Sequence, residues 1–158
     1  MIGLDHATLS DLFRQAKESP RRRSHLLLHK DHGDQVQRLV IALSNDSYVR
    51  PHQHSEQWEM LVLLQGRLDL LFFAAGGRLT ERFALTGDGR SVIQIPPGQI
   101  HGAAVMQDET AVMEIKPGPY RTNEFADWAP AEGAPDAASF LDWAVRAEPG
   151  ALWAPRAG

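Results

Sequence analysis

The chain has 158 residues, which is enough for one domain and leaves little room for a second. Hydrophobic residues make up 43% of the chain and charged residues 23%, so the composition is that of an ordinary globular protein with a buried core. The formal net charge of −4 does not indicate a nucleic-acid-binding protein, and the lack of cysteine excludes disulfides and thiolate metal sites.

The sequence also carries no targeting or membrane signal. The N-terminal residues lack the basic-then-apolar order of a secretory signal peptide, and no apolar run approaches the length of a membrane span. The densest basic run, Arg21–Arg23, is short, and a run of three is more typical of a solvated surface or a local anion contact than of a nucleic-acid-binding tract. We therefore expect a soluble cytoplasmic protein that binds neither nucleic acid nor a membrane.

A short helix is predicted near the N-terminus, from about Thr8 to Lys17, and Pro20 ends this segment. Apolar residues recur there at helical spacing, namely Leu9, Leu12, Phe13 and Ala16. Residues 1–19 are therefore expected to form a helical segment in front of the main domain.

The pattern then changes to short runs rich in valine, isoleucine and leucine. Turn signals such as Ser44–Asp46 and Pro96–Gly98 separate these runs, and no helical pattern lies between them. Short strands at regular spacing indicate an antiparallel sandwich or barrel, which we place in residues 20–120. The predicted strands are Gln37–Leu43, Ser47–His54, Glu59–Phe73, Arg82–Leu85, Ser91–Ile95, His101–Met106 and Ala111–Lys116.

One of these runs, Glu59–Leu64, is apolar at nearly every position after the glutamate. A strand with two apolar faces must be covered on both sides. One side can be the barrel interior, and the other is left for a second layer or a partner subunit. We therefore expect a homodimer.

The segment from about Tyr120 onward is rich in proline and carries three of the four tryptophans, at positions 128, 143 and 153. A short helix is predicted to begin after Pro135-Asp136 and to end before Pro149-Gly150. Solvated tails seldom contain so much tryptophan, so residues 121–158 are predicted to form a C-terminal extension, or strap, packed on the barrel.

Three histidines and one glutamate in the predicted strands are the candidate metal ligands of the chain. His52 and His54 are two residues apart, so on a strand both imidazoles point to the same face. Glu59 follows after a bend, and His101 comes directly after the turn at Pro96–Gly98. Three imidazoles and one carboxylate suit a single divalent ion such as Fe, Mn, Ni, Co or Zn. Taken singly, each motif also occurs in strands that bind no metal.

The two histidine motifs together resemble those of the cupin superfamily. His52-x-His54-x4-Glu59-x6-Gly66 matches the first cupin motif, and Pro96-x-Gly98-x2-His101 matches the second. The resemblance implies an all-β jelly-roll barrel, also called a double-stranded β-helix, with these four residues as metal ligands. Two positions depart from the motifs: no glycine precedes His52, and Val105 stands where the family has asparagine.

A second resemblance, over residues 20 to 134, is to the WbuC family of cupin metalloproteins. The segments that carry it are Pro20–Arg23, Gln37–Leu43, Ser47–His52, Trp58-Glu59, Gly118–Tyr120 and Trp128–Gly133. His29 fits the family pattern, whereas His25 and Leu27 stand where a polar residue, usually asparagine, is found. The family is named after a gene in O-antigen polysaccharide clusters, which implies a sugar-related context but no established reaction.

Six further residues are candidates for lining the pocket of the predicted barrel. Glu114 and Lys116 share one strand face, which is either a pocket wall or a solvated surface. Arg23 and Arg50 could hold an anionic group through bidentate contacts, with surface solvation as the alternative. Tyr120 either donates its phenol to a ligand or covers the core, and His29 either lines the pocket or contacts backbone.

These expectations leave two classes of function open. An ion with four protein ligands keeps two positions for other molecules, so the first class is an enzyme that acts on a small polar molecule, such as a sugar or sugar nucleotide. An isomerase and a dioxygenase are both compatible with that site. The second class is a non-catalytic, metal-dependent binder of a small molecule.

Overall fold

The computed structural model describes residues 2–154, and their strands form two five-stranded antiparallel sheets that face each other. One sheet has the strand order β1-β2-β9-β4-β7 and the other has the order β10-β3-β8-β5-β6. Met1 and residues 155–158, which belong to the predicted terminal segments, lie outside the described residues. The elements are α1 (His6–Glu18), β1 (Arg23–Leu27), β2 (Val36–Leu43), β3 (Val49–Gln53), β4 (Glu59–Gln65), β5 (Arg67–Phe73), β6 (Leu79–Thr86), β7 (Val92–Ile95), β8 (Ile100–Val105), β9 (Thr110–Pro117), β10 (Glu124–Phe125) and α2 (Ala137–Arg146).

The N-terminal helix forms where the sequence predicts it. The Asp5 side chain accepts a hydrogen bond from the backbone N–H of Thr8 at 2.8 Å, which caps the first turn. The buried face of α1 packs on Val40 and Ala42 of β2, so this helix covers the outer side of one sheet. Neither helix in residues 2–154 has the length and hydropathy required to cross a membrane.

The main core lies between the two sheets. Alternate residues of β5, among them Leu68 and Leu70, point into this core, together with Leu61 and Leu63 of β4. The other face of β5 is also buried, because α2 and the strap pack on it; Phe140 and Ala144 of α2 join the same cluster as Leu71 and Phe73. The fold is thus the predicted all-β cupin jelly roll, with a short helix near each end.

The predicted strand Glu59–Phe73 is wrong as a single element. The chain turns at Gly66, whose φ of +84° is the left-handed region that side chains seldom adopt, and β4 and β5 belong to different sheets. A Cβ at Gly66 would lie 2.8 Å from the Cα of Thr110, so only glycine fits this crossing. The glycine of the first motif therefore marks the point at which the chain passes between sheets.

Two strands have no counterpart in the sequence prediction. β1 is an edge strand whose first residues, Arg23, Ser24 and His25, are polar, so its hydrophobic pattern is weak. β10 has only two residues and pairs with β3 from within the C-terminal strap. A strap residue is thus hydrogen-bonded into the barrel itself.

Candidate metal centre and its cavity

The four predicted ligands lie together, although they come from different sheets. His52 is on β3 and pairs across the ladder with His101 on β8. His54 follows directly after β3, and Glu59 opens β4 in the opposite sheet. All four side chains are buried, and one candidate ligand atom from each lies within 4.8 Å of all the others.

Backbone carbonyls fix the orientation of two of the imidazoles. His52 donates its Nδ1 proton to the carbonyl of Arg50 at 2.8 Å, and His101 donates its Nδ1 proton to the carbonyl of Gln99 at 2.9 Å. A carbonyl only accepts, so Nδ1 carries a proton in both rings, and in the neutral form of each ring the lone pair is on Nε2. Histidine ligands of metals are oriented in this way.

A bulge in β3 produces part of this geometry. Val49 pairs with Ala103 and His52 pairs with His101, so β3 has one more residue than β8 between the two pairs. Bulges bend a strand and redirect its side chains, often beside functional sites. Pro51, which cannot donate to the ladder, lies inside this bulge.

The other side of the cluster is formed by His54 and Glu59. The Nε2 atom of His54 is 2.6 Å from Oε2 of Glu59, and Nε2 of His101 is 3.8 Å from Oε1 of the same carboxylate. Two ring nitrogens, Nδ1 of His54 and Nε2 of His101, are buried without a hydrogen-bond partner among the described residues. Such unsatisfied nitrogens are unfavourable unless another group binds them.

Burial and the mutual contacts of the cluster shift the pKa values of three of its members. Burial, with His101 close by, lowers the pKa of His52 to about 3, so this ring is neutral. Burial would raise the pKa of Glu59, but its contacts with His101 and His54 lower it well below the usual value, so it is an anion. Burial also opposes protonation of His101, yet the facing Glu59 raises the pKa of that ring above its ordinary value.

These residues fit a first-row divalent ion. Nitrogen and oxygen ligands bind such an ion at about 2.1 Å, so two ligands on opposite sides of it are about 4.2 Å apart. The four donor atoms all lie within 4.8 Å of one another, which is close to that span. Three imidazoles and one carboxylate favour Fe, Mn, Ni, Co or Zn over Mg or Ca.

Three members of the cluster, His52, Glu59 and His101, line a cavity of about 350 Å³ between the sheets. Leucine, isoleucine and valine side chains from both sheets line it together with charged and polar groups. Five of the six predicted pocket residues line it, namely Arg23, Arg50, Glu114, Lys116 and Tyr120. His29 is not among the lining residues: its Nδ1 atom is 2.9 Å from the backbone nitrogen of Arg38 and 2.8 Å from the carbonyl. Contact with backbone is thus the role that the structure gives His29.

Most of the charged groups in the cavity are paired. Lys116 Nζ is 2.8 Å from Oε1 of Glu114, and both side chains are largely buried. Burial and the nearby Glu59 raise the pKa of the Glu114 carboxyl, while Lys116 opposes that rise. Burial would lower the pKa of Lys116, but the two glutamates raise it, so the ammonium keeps its charge.

Some lining residues were not predicted from the sequence. His25 lines the cavity from the same face of β1 as Arg23, and alternation along β1 would have identified it had that strand been recognised. Phe125 and Glu132 line the cavity from the strap, more than 70 residues beyond His52. The sequence holds no local signal for such long-range contacts.

The predicted pocket residue Tyr120 also contacts a histidine outside the metal cluster. Its ring stacks on that of His32, with ring centroids 4.6 Å apart.

Comparisons with known proteins agree with the fold. The family whose model matches the chain is described as Domain of unknown function (DUF6016), and the match covers residues 4–85. No curated protein matches the chain. A Shewanella oneidensis protein of solved structure is 16% identical, with a TM-score of 0.54, and the alignment covers 78% of this chain and 87% of that one.

Two further solved structures are similar. KdgF from a Halomonas species is 16% identical, with a TM-score of 0.50 and coverage of 63% of this chain and 82% of the other. The cupin domain of Schizosaccharomyces pombe Cnp3 is 14% identical, also with a TM-score of 0.50, and the coverage is 61% and 64%. At these identities the likeness establishes the cupin fold alone.

Proposed function

The chain belongs to the DUF6016 family of domains of unknown function and has the cupin fold, and from the geometry of its site we propose that it is a mononuclear metal-binding cupin for a small polar molecule. The proposed ligands are His52, His54, Glu59 and His101. The observation that carries this proposal is the convergence of four buried donor groups, two of which hold a ring nitrogen without a partner in residues 2–154.

The residues around the cluster define what the site can do. A divalent ion bound there would act as a Lewis acid toward an oxygen of the ligand. The carbonyls of Arg50 and Gln99 hold His52 and His101 in the tautomer that presents Nε2 to the cluster. Apolar side chains line part of the cavity beside the cluster, and Glu59 supplies the negative charge of the donor set.

The size of the cavity favours a small ligand. Its volume of about 350 Å³ lies at the lower end of the range for small-molecule sites, roughly 300 to 1,000 Å³. The resemblance to the WbuC family remains a prediction, and it is the support for a sugar or sugar nucleotide as the ligand. Consumption of oxygen by the iron-loaded protein would instead favour a dioxygenase, and binding without turnover would favour a non-catalytic binder.

The first test is elemental analysis of protein purified without added metal or chelator. We expect about one first-row metal ion per chain in the wild type. In the double variant His52→Ala, His101→Ala, two of the four donors are lost, so the metal content should fall close to zero. A titration with Co²⁺ followed by visible absorption gives a second readout, since it reports the ligand set directly.

The matched control is the double variant His6→Ala, His32→Ala, which removes two exposed imidazoles away from the cluster. Its metal content should equal that of the wild type, whereas loss in both double variants would indicate adventitious binding to histidines. Circular dichroism establishes that each variant is folded. A folded His52→Ala, His101→Ala variant with a full metal complement would overturn the proposed site.

A further inference from the structure

The cavity has an uneven charge balance. Arginine and lysine contribute four cationic side chains to its lining, whereas glutamate contributes three carboxylates. A divalent ion would increase the excess of positive charge from one to three. A neutral ligand would leave that excess uncompensated in a partly desolvated space, so the balance favours an anionic ligand.

Three of the four cations already have a carboxylate partner. Lys116 pairs with Glu114. Arg21 holds Glu132 through two hydrogen bonds of 2.6 and 2.8 Å, and Arg23 donates to the same carboxylate. Arg21 and Arg23 thus both direct hydrogen bonds to the one carboxylate of Glu132.

Arg50 differs from these three. No carboxylate of residues 2–154 lies within ion-pair distance of its guanidinium. Its Nη2 atom donates to the carbonyl of Ala126 at 3.1 Å, and the group lies 4.9 Å from the ring centroid of Phe125. Its Nε atom is buried and has no hydrogen-bond partner among the described residues. A buried donor of this kind is costly unless a ligand satisfies it.

The bulge in β3 allows the Arg50 side chain to line the cavity that His52, Glu59 and His101 also line. Val49 and Arg50 are consecutive residues and both line the cavity, which a regular strand with alternating side chains would not allow. The carbonyl of Arg50 holds His52, so the guanidinium and the proposed ligand set are linked through one residue.

We propose that Arg50 is the anion-recognition residue of this site and that the ligand is a small organic molecule carrying a carboxylate or a phosphate. This inference rests on the proposed function for the ligand's second point of attachment, at the metal cluster. The planar guanidinium offers Nε and a terminal nitrogen to two oxygens of one anionic group, and it discriminates against an uncharged analogue that leaves Nε unpaired.

Isothermal titration calorimetry of the metal-loaded protein tests this assignment with three probes of similar size. Glycerate carries a carboxylate, glycerol 3-phosphate carries a phosphate, and glycerol is neutral. We expect at least one anion to bind, and comparison of the two anions distinguishes carboxylate from phosphate. Glycerol should bind at least tenfold more weakly than the anion that binds.

Three substitutions assign the effect to one side chain. Arg50→Gln should raise the dissociation constant for the anion at least tenfold. Arg50→Lys keeps the charge but loses the planar pair of N–H donors, so its dissociation constant should lie between those of Arg50→Gln and the wild type. The matched control is Arg90→Gln, because Arg90 also lies over a phenylalanine ring, at 4.7 Å from the centroid of Phe83, and is not a lining residue. Its binding should equal that of the wild type.

The outcomes separate this inference from the metal proposal. Binding of glycerol equal to that of both anions, no binding of either anion, or wild-type affinity in a folded Arg50→Gln variant would overturn it even if the metal binds as proposed. If the metal-free protein binds the anion in a way that still depends on Arg50, the inference holds even where elemental analysis finds no metal.

Discussion

Arg82 joins the barrel to the C-terminal strap through a single guanidinium group. It donates from Nε to Oδ2 of the buried Asp69 at 2.8 Å. It also donates to the carbonyls of Ala144, Val145 and Ala147 at 2.8 to 3.0 Å, which lie at the C-terminal end of α2. Those carbonyls have few partners within the helix, so Arg82 acts as the cap of α2.

Loss of this side chain should destabilise the fold strongly. Arg82→Met leaves the Asp69 carboxylate, which is 3% exposed, without its buried partner, and we expect a loss of about 3 kcal/mol in the free energy of unfolding. The control is Arg67→Met, which removes the second arginine near Asp69. Because Arg67 is 48% exposed, that change should cost less than about 1 kcal/mol. Urea denaturation measures both, and equal losses would contradict the capping role.

At the scale of elements, the two glycines of the histidine motifs offer a test of the turns that bring the ligands together. Gly66 and Gly98 both have positive φ, at +84° and +75°. A Cβ on Gly66 would meet Thr110, including its backbone, whereas a Cβ on Gly98 would meet nothing within 4 Å. The two positions thus share the backbone strain but differ in the available space.

Alanine at these positions should separate the two effects. Gly98→Ala should lower the free energy of unfolding by about 1 kcal/mol, the cost of a side chain at positive φ. Gly66→Ala adds a clash in a packed site, and we expect a total of about 3 kcal/mol or more. Urea denaturation of the two variants side by side gives the comparison. A loss at Gly66 of only about 1 kcal/mol, no larger than that expected at Gly98, would show that the crossing beside Thr110 tolerates a side chain.

The same turns explain how far the sequence predicts this fold. His52 and His54 have the spacing of one strand face, Glu59 follows a short bend, and proline and glycine mark the turn before His101, so the ligand set follows from local patterns. The bulge that redirects Arg50 and the approach of Glu132 to Arg23 depend on register and on contacts more than 100 residues apart. Local periodicity carries no information on either, which is why Arg50 and Arg23 are equal candidates in sequence and differ in the structure.

For the whole molecule, the predicted homodimer depends on the outer face of the sheet that contains β4. Leu61 and Leu63 point into the core, and the intervening Met60, Val62 and Leu64 point outward. In one row across this face Val62 lies between Met113 of β9 and Val92 of β7, which is 49% exposed. An apolar row of this kind on an antiparallel sheet is the feature that a second copy would cover, since a two-fold axis places the same surface on both partners.

We therefore propose that two copies pair through this face, and that a charge at its centre prevents the pairing. Val62→Glu should convert the dimer into a monomer, because each copy would bury a carboxylate in the apolar interface without a partner. Leu152→Glu is the matched control: Leu152 is 50% exposed and apolar, but it lies on the strap, which packs against the opposite sheet. Size-exclusion chromatography with light scattering should give twice the chain mass for the wild type and for Leu152→Glu, and the mass of one chain for Val62→Glu. A monomeric wild type would contradict the dimer, and a dimeric Val62→Glu would place the interface on another surface.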